Sequence, residues 1–348
     1  MLDPFLAPPA LLTTLSRPIA SSLSLTTLPL HIHEILLAFL FYHVINTYFS
    51  PYISTKLFPS YYPALNARTK RNWDVHVVSL VQSCSINVLA LWVIMVDEER
   101  QGMDWAGRVW GYTGGGGMIQ GFAAGYFLWD LCVCVAHVDV FGWGLLAHAV
   151  AALVVFSLGF RPFVNYYGPT FILYELSSPF LNFHWFFDKI NMTGSRAQLY
   201  NGIVLLATFF ACRLVWGTYQ SVRVYQDVWA AIQTPGILTT TDTVTNPAIR
   251  QSVDPTKEIM RFEGDRIIPI WLACTYLGSN IVLNTLNFYW FGKMIETVKK
   301  RFQPGKKGKR GLNVDGKVRE EERAKVKLDM NGGQVLMAEK TEVRRRKG

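Results

Sequence analysis

The sequence predicts an all-α protein, a polytopic bundle of about seven transmembrane helices (six to eight), and three observations carry that expectation. Half of the 348 residues are hydrophobic and only 17% are charged, with 22 Phe, 15 Tyr and 11 Trp. The mean hydropathy of +0.19 is high for a chain bathed in water. The apolar residues are also bunched into runs of about 20, the length a helix needs to cross a hydrocarbon core of roughly 30 Å.

Residues 1–28 are rich in Pro, Ser, Thr and Leu and lack a basic start, one clean apolar run and a cleavage site, so a loose or interfacial leader is expected. The helical region is placed at 29–296. Its first span is expected from about Leu30 to Phe49, ended by Ser50-Pro51, and the second over about Val75–Val96. The glycine run Gly114–Gly117 has no following Lys-Ser/Thr and no strand before it, which excludes a phosphate loop; it reads as a flexible lead-in to the third span, Met118–Val138. The fourth span covers about Gly142–Phe160, and the fifth, Pro162–Phe187, is expected to break at Pro179. The sixth covers Leu199–Trp216 with a helical continuation toward Trp229, a polar loop occupies 233–265, and the seventh covers Ile267–Phe291.

The net charge of +9 is concentrated in the last fifty residues, in KKRFQPGKKGKR and RRRKG. This tail, 297–348, contains one aromatic residue, Phe302, and no nucleic-acid motif. It is expected to be a disordered cytosolic segment drawn to anionic lipid, with no nucleic-acid partner. The basic loop 51–73, the connector 188–196 and the tail fall on one side if the C-terminus is cytosolic, and the acidic loop 97–108 falls on the other. The sequon Asn191-Met192-Thr193 then faces the cytosol, where it stays unglycosylated. All five cysteines lie in candidate spans, and Cys132-x-Cys134 is not the spacing of a zinc or redox site.

Within these spans sits a set of polar residues. An ionisable side chain at membrane depth costs about 2.5–3.5 kcal/mol on insertion scales and usually faces a protein interior or a wet cavity. Asp130 lies in the third span, and His137 seven residues on is placed on the same helix face. His148 lies in the antiparallel fourth span; Glu175, Ser178, Pro179 and Asn182 lie in the fifth, and Arg213 in the sixth. They are expected to line a polar pocket, with Asp130 orienting His148 as base or nucleophile. The competing reading is that Asp130 or Glu175 pairs with Arg213 and pins helices together. No helical His-x3-His pair occurs, so no metal is expected, and no cofactor motif is present.

The chain resembles the TLC-domain superfamily, above all its small TLC-domain-containing membrane proteins, relatives of the ceramide synthases. The resemblance rests on Asn72-Trp73, GYFLWDL (125–131), LLAHAVAALVVF (145–156), YELSSPFLNFHWFFDK (174–189) and YNGIVLLATFFACRL (200–214), over about residues 70–230. It implies a multi-pass protein of the endoplasmic reticulum or another endomembrane, with a role in lipid homeostasis or membrane lipid composition. Ceramide synthases use two adjacent histidines for acyl transfer from acyl-CoA to a sphingoid base; here the corresponding pair is Ala147-His148, which puts that activity in question. The expected partners are membrane lipids, with acyl-CoA and sphingoid or phospholipid substrates as the enzymatic option. A lipid-binding or chaperone-like protein without turnover is the non-catalytic option.

Overall fold

The computed structural model describes residues 1–161, 163–233 and 268–302. The polar loop and nearly all of the basic tail lie outside the described residues. Among the described residues the fold is all-α, as expected. Helix α1 is Ala10–Leu23, α2 Leu28–Leu57, α3 Ala67–Val96, α4 Gly114–Ala136 and α5 Val138–Leu158. Helices α6 (Tyr167–Ile172) and α7 (Ser178–Lys189) follow, then α8 (Arg196–Gln233) and α9 (Ile270–Phe302). Among the described residues five helices are long and apolar enough to cross a membrane: α2, α3, the stretch Trp105–Ala136 that contains α4, α5 and α8. The broken pair α6–α7 and helix α9 run in the same bundle without meeting that measure.

The outside of the bundle is apolar as well as its core, and polar side chains are set within the interior. Leu37, Leu40, Val88, Met95, Val135, Val150, Ile203, Val215 and Ile281 are exposed on the outside, whereas Glu34, Gln82, Asn87, Gln120, Asn182 and Arg213 are buried. An outer apolar coat suits lipid chains, and the interior satisfies the polar groups.

Several local expectations change. The leader is ordered: residues 10–23 form α1, and Thr27 donates both its N–H and its hydroxyl to the Phe160 carbonyl, each at 3.0 Å. Ser50-Pro51 does not end the first span. A π-helical turn, Ile45–Phe49, accommodates Ser50-Pro51 and leads into a continuing helix that ends at Leu57. The Ser50 hydroxyl there donates to Asp74 of α3 at 2.6 Å.

The glycine run is not a flexible lead-in. Gly114–Gly117 form the first turn of α4, capped by the Thr113 hydroxyl, and all four are buried. A Cβ at Gly117 would strike the His31 ring and the Tyr112 hydroxyl, and one at Gly125 would strike the Ile35 carbonyl of α2. Small residues let two helix backbones approach, the usual device where lipid supplies no hydrophobic drive between helices.

The fifth segment breaks earlier than Pro179. Leu173–Ser177 form a 3-10 turn, and Pro179 sits harmlessly in the first turn of α7. Helix α9 extends past the expected end of the seventh span and into the first residues assigned to the tail. Its Asn280, Asn284 and Asn287 share one face at helical spacing, which lowers its apolarity without exposing it: Asn280 and Asn287 are buried.

Candidate functional site: a polar cavity at one end of the bundle

Contacts between loops define the two ends of the bundle. At one end Arg100 donates to the Tyr166 carbonyl (3.0 Å) and the Thr170 hydroxyl (2.6 Å), and Arg108 makes a two-pronged bond to Asp227 at 2.7 and 2.8 Å. At the other end Arg68 approaches the carbonyls of Asp139 and Val140 at 3.4 and 3.5 Å, and Trp73 packs on Trp185 and Phe186. A cavity of about 100 Å³ lies toward this second end. Among its walls are Asp130, His148, Glu175, Ser178, Asn182 and Arg213, six of the residues the sequence assigned to a pocket. Apolar residues complete it, including Phe127, Leu145, Leu181 and Phe209. A smaller cavity of about 50 Å³ adjoins it, and His148, Glu175 and Arg213 line both.

The broken segment explains why Arg213 is there. A 3-10 turn inside the bundle frees backbone carbonyls, which lipid cannot satisfy. Arg213 lies in a π-helical stretch of α8, Phe210–Trp216, which lets its side chain turn toward the break. Its Nε donates to the Tyr174 carbonyl and the Ser177 hydroxyl, each at 3.0 Å. The terminal nitrogens reach Asn287 Oδ1 (3.1 Å) and Ser178 Oγ (3.2 Å), and Glu175 Oε1 lies 3.5 Å away. Thus Glu175, not Asp130, pairs with Arg213, and the guanidinium ties α8 and α9 to the break.

The Asp130–His148 dyad expected from sequence is not formed. Asp130 receives the Cys134 thiol at 3.9 Å, and no hydrogen bond joins it to His148 among the described residues. The His148 ring stands edge-on to Trp290 at 5.7 Å, and its Nδ1 is buried without a hydrogen-bond partner among the described residues. His137 and Pro179 are not among the cavity's lining residues. His137 terminates α4 at φ −137°, ψ 44°, so the helical phase relating it to Asp130 ends before it.

One histidine escaped the sequence reading. His76, near the start of α3, lines the cavity and stacks on Trp185 with centroids 4.2 Å apart. Its Nδ1 is 2.7 Å from Asn182 Oδ1, and Asn182 Nδ2 donates to Ser79 Oγ at 3.1 Å. Because the amide oxygen accepts, Nδ1 is the donor in this bond. Its signal in the sequence is an ionisable residue at the start of the second apolar run.

A family model for the TLC domain matches residues 72–296, so it begins in α3 and reaches beyond residue 230 to take in most of α9. An uncharacterized TLC domain-containing protein of Schizosaccharomyces pombe is 36% identical over 299 residues, covering 86% of this chain and 89% of that protein. Topoisomerase I damage affected protein 4 of Saccharomyces cerevisiae is 27% identical over 281 residues, 79% of this chain and 86% of its own length. TLC domain-containing protein 4 of Homo sapiens is 28% identical over 181 residues, 51% of this chain and 67% of its own length. With the match spanning every helix that lines the cavity, the chain belongs to the TLC-domain family of multi-pass membrane proteins.

Proposed function

We propose that this protein acts on membrane lipid composition by taking the polar part of a lipid into the cavity between α3, α4, α5, α7, α8 and α9. The observation that carries the reading is the convergence of Asp130, His148, Glu175, Asn182 and Arg213, from four helices and the 3-10 turn, on one space inside an apolar bundle. A volume of about 100 Å³ suits a small polar head, and Phe209, Trp290 and Met294 offer apolar contact to the chain attached to it. The residence proposed is an endomembrane such as the endoplasmic reticulum, with the cavity end and the C-terminus on the cytosolic side, where the basic loops gather.

The test is lipidomics on cells lacking the protein, complemented at equal expression by wild type, His148→Ala or Asp130→Ala. A lipid class that shifts on loss and returns only with wild type supports the reading. Full rescue by both variants overturns it.

A second reading, acyl transfer, is favoured by the unbonded Nδ1 of buried His148. Ala147 stands where the ceramide synthases have the other histidine of their pair, and Asp130 does not orient His148, so the imidazole would act without its expected helper. Purified protein given acyl-CoA and a sphingoid base or lysophospholipid should then release free CoA, and His148→Ala should abolish the release.

A further inference from the structure

At the opposite end of the bundle from the cavity, the chain before α1 folds back against the starts of α2 and α4. Asp3, His31 and Glu34 meet there with one potential ligand atom each, all within 4.8 Å of one another. His31 and Glu34 have no solvent exposure, and the Asp3 side chain is 24% exposed. His31 Nδ1 lies 2.6 Å from Glu34 Oε2 and 3.4 Å from Asp3 Oδ2. Its other nitrogen, Nε2, bonds the Tyr112 hydroxyl. Glu34 Oε1 is buried and has no hydrogen-bond partner among the described residues.

Two ionised carboxylates carry more negative charge than the His31 imidazole alone can offset, and burying such charge uncompensated is costly; the His33 ring is the other imidazole close enough to feel the Asp3 charge. The neighbouring amine of Met1 does not compensate it: that group is held by Asp97 at 2.9 Å and Glu99 at 3.0 Å. The glycines of α4 make the room. A Cβ at Gly121 would stand 2.6 Å from Glu34 Oε2, and one at Gly117 would meet His31 Nε2.

We infer that Asp3, His31 and Glu34 bind a divalent transition-metal ion of the zinc or manganese class, which clasps the N-terminal segment to α2. Imidazole nitrogen and carboxylate oxygens are ordinary ligands for such ions at about 2.0–2.2 Å. Two ligands at that radius around a tetrahedral ion stand roughly 3.4 Å apart, and the His31–Asp3 separation is 3.4 Å. The shorter His31–Glu34 approach widens as both atoms turn to the ion. Tyr112 takes the outer-sphere role, accepting the Nε2 proton and so fixing Nδ1 as the ligand. The sequence carries no His-x3-His signal here, because the third ligand beside the i, i+3 pair His31 and Glu34 is Asp3, in the segment expected to be a loose leader.

The experiment uses the full chain in detergent micelles, tagged at the C-terminus so that the first residues are undisturbed. Protein stripped with a chelator and then dialysed against Zn²⁺ or Mn²⁺ is measured by elemental mass spectrometry and by thermal unfolding. Wild type should retain about one ion per chain and unfold at a higher temperature with it. Glu34→Gln should lose at least tenfold in affinity. Asp3→Asn changes only the partly exposed ligand, keeps the bundle folded and should lose the thermal gain as well. A wild type that retains no more ion than Glu34→Gln overturns the inference and leaves a proton shared by the carboxylates. An ion retained equally by wild type, Glu34→Gln and Asp3→Asn also overturns it.

Discussion

Replacing Arg213 by methionine tests whether the guanidinium holds the break in the fifth segment together. Methionine keeps an apolar stem of similar length and removes the charge. It deletes the donors to the Tyr174 carbonyl, Ser177, Ser178 and Asn287, and it strands Glu175 without its counter-charge. The serine hydroxyls can turn to other acceptors, and Cys212 still reaches the Tyr174 carbonyl at 3.7 Å. The Asn287 amide oxygen and the Glu175 carboxylate have no such recourse. Removing one partner of a buried pair costs about 3–5 kcal/mol. The side chains of Arg213 and Glu175 are 9% and 15% exposed, so the lower end applies. A loss of about 3 kcal/mol lowers the folding equilibrium constant roughly 100-fold and, at an unfolding entropy of about 2.1 cal/mol/K per residue, the unfolding temperature by about 4 °C for a chain of 348 residues. The assay is tryptophan-fluorescence unfolding in detergent, with Arg213→Met and the double variant Arg213→Met/Glu175→Gln beside wild type. Neutralising Glu175 should return about 1 kcal/mol, because the orphaned charge is gone. A single variant that melts within about 2 °C of wild type would refute the reasoning, and a double variant no better than the single would remove the ion pair from it.

Other consequences are testable in the same assay. Gly125→Ala puts a methyl into the Ile35 carbonyl and within 2.7 Å of the Ala38 Cβ, so it should cost about 1–3 kcal/mol by overpacking; Gly144→Ala, with open space at its Cβ, should cost far less. Arg108→Lys loses the fork that grips both Asp227 oxygens and should destabilise by about 1.5–3 kcal/mol. Tyr62 donates to Asp74, and burial together with that carboxylate raises its phenol above the ordinary value. The fold favours the protonated phenol, so its contribution is complete below the unfolded pKa of about 10 and is lost as the pH rises beyond it. Unfolding followed from pH 8 to 11 should therefore fall more steeply for wild type than for Tyr62→Phe, and parallel curves would sink the idea.

Local chemistry was enough to read the helical class, the positions of most spans and the identity of the cavity's polar lining. Runs of about 20 apolar residues are a one-dimensional signal, and an ionisable residue within such a run marks the interior wherever it occurs. Asp130, His148, Glu175 and Arg213 are legible on that ground, Ser178 and Asn182 only as polar residues around the expected break, and His76 carries the same signal at the start of α3. What tertiary structure decided is which of them touch. Glu175 rather than Asp130 faces Arg213, because the 3-10 turn at Leu173–Ser177 frees the carbonyl that draws the guanidinium. Asp130 and His148 share a cavity without sharing a hydrogen bond, a matter of helix rotation that sequence spacing does not encode. The glycines of α4 read as flexible because glycine serves both looseness and close approach; only the carbonyl of Ile35 and the ring of His31 at their Cβ positions distinguish the two. Helix α9 looked least secure for the same reason: Asn284 and Asn287 weaken an apolar run until Ser221 and Arg213 are seen to meet them. Pairing between distant polar groups is set by packing in three dimensions, and that is where this protein's interior was decided.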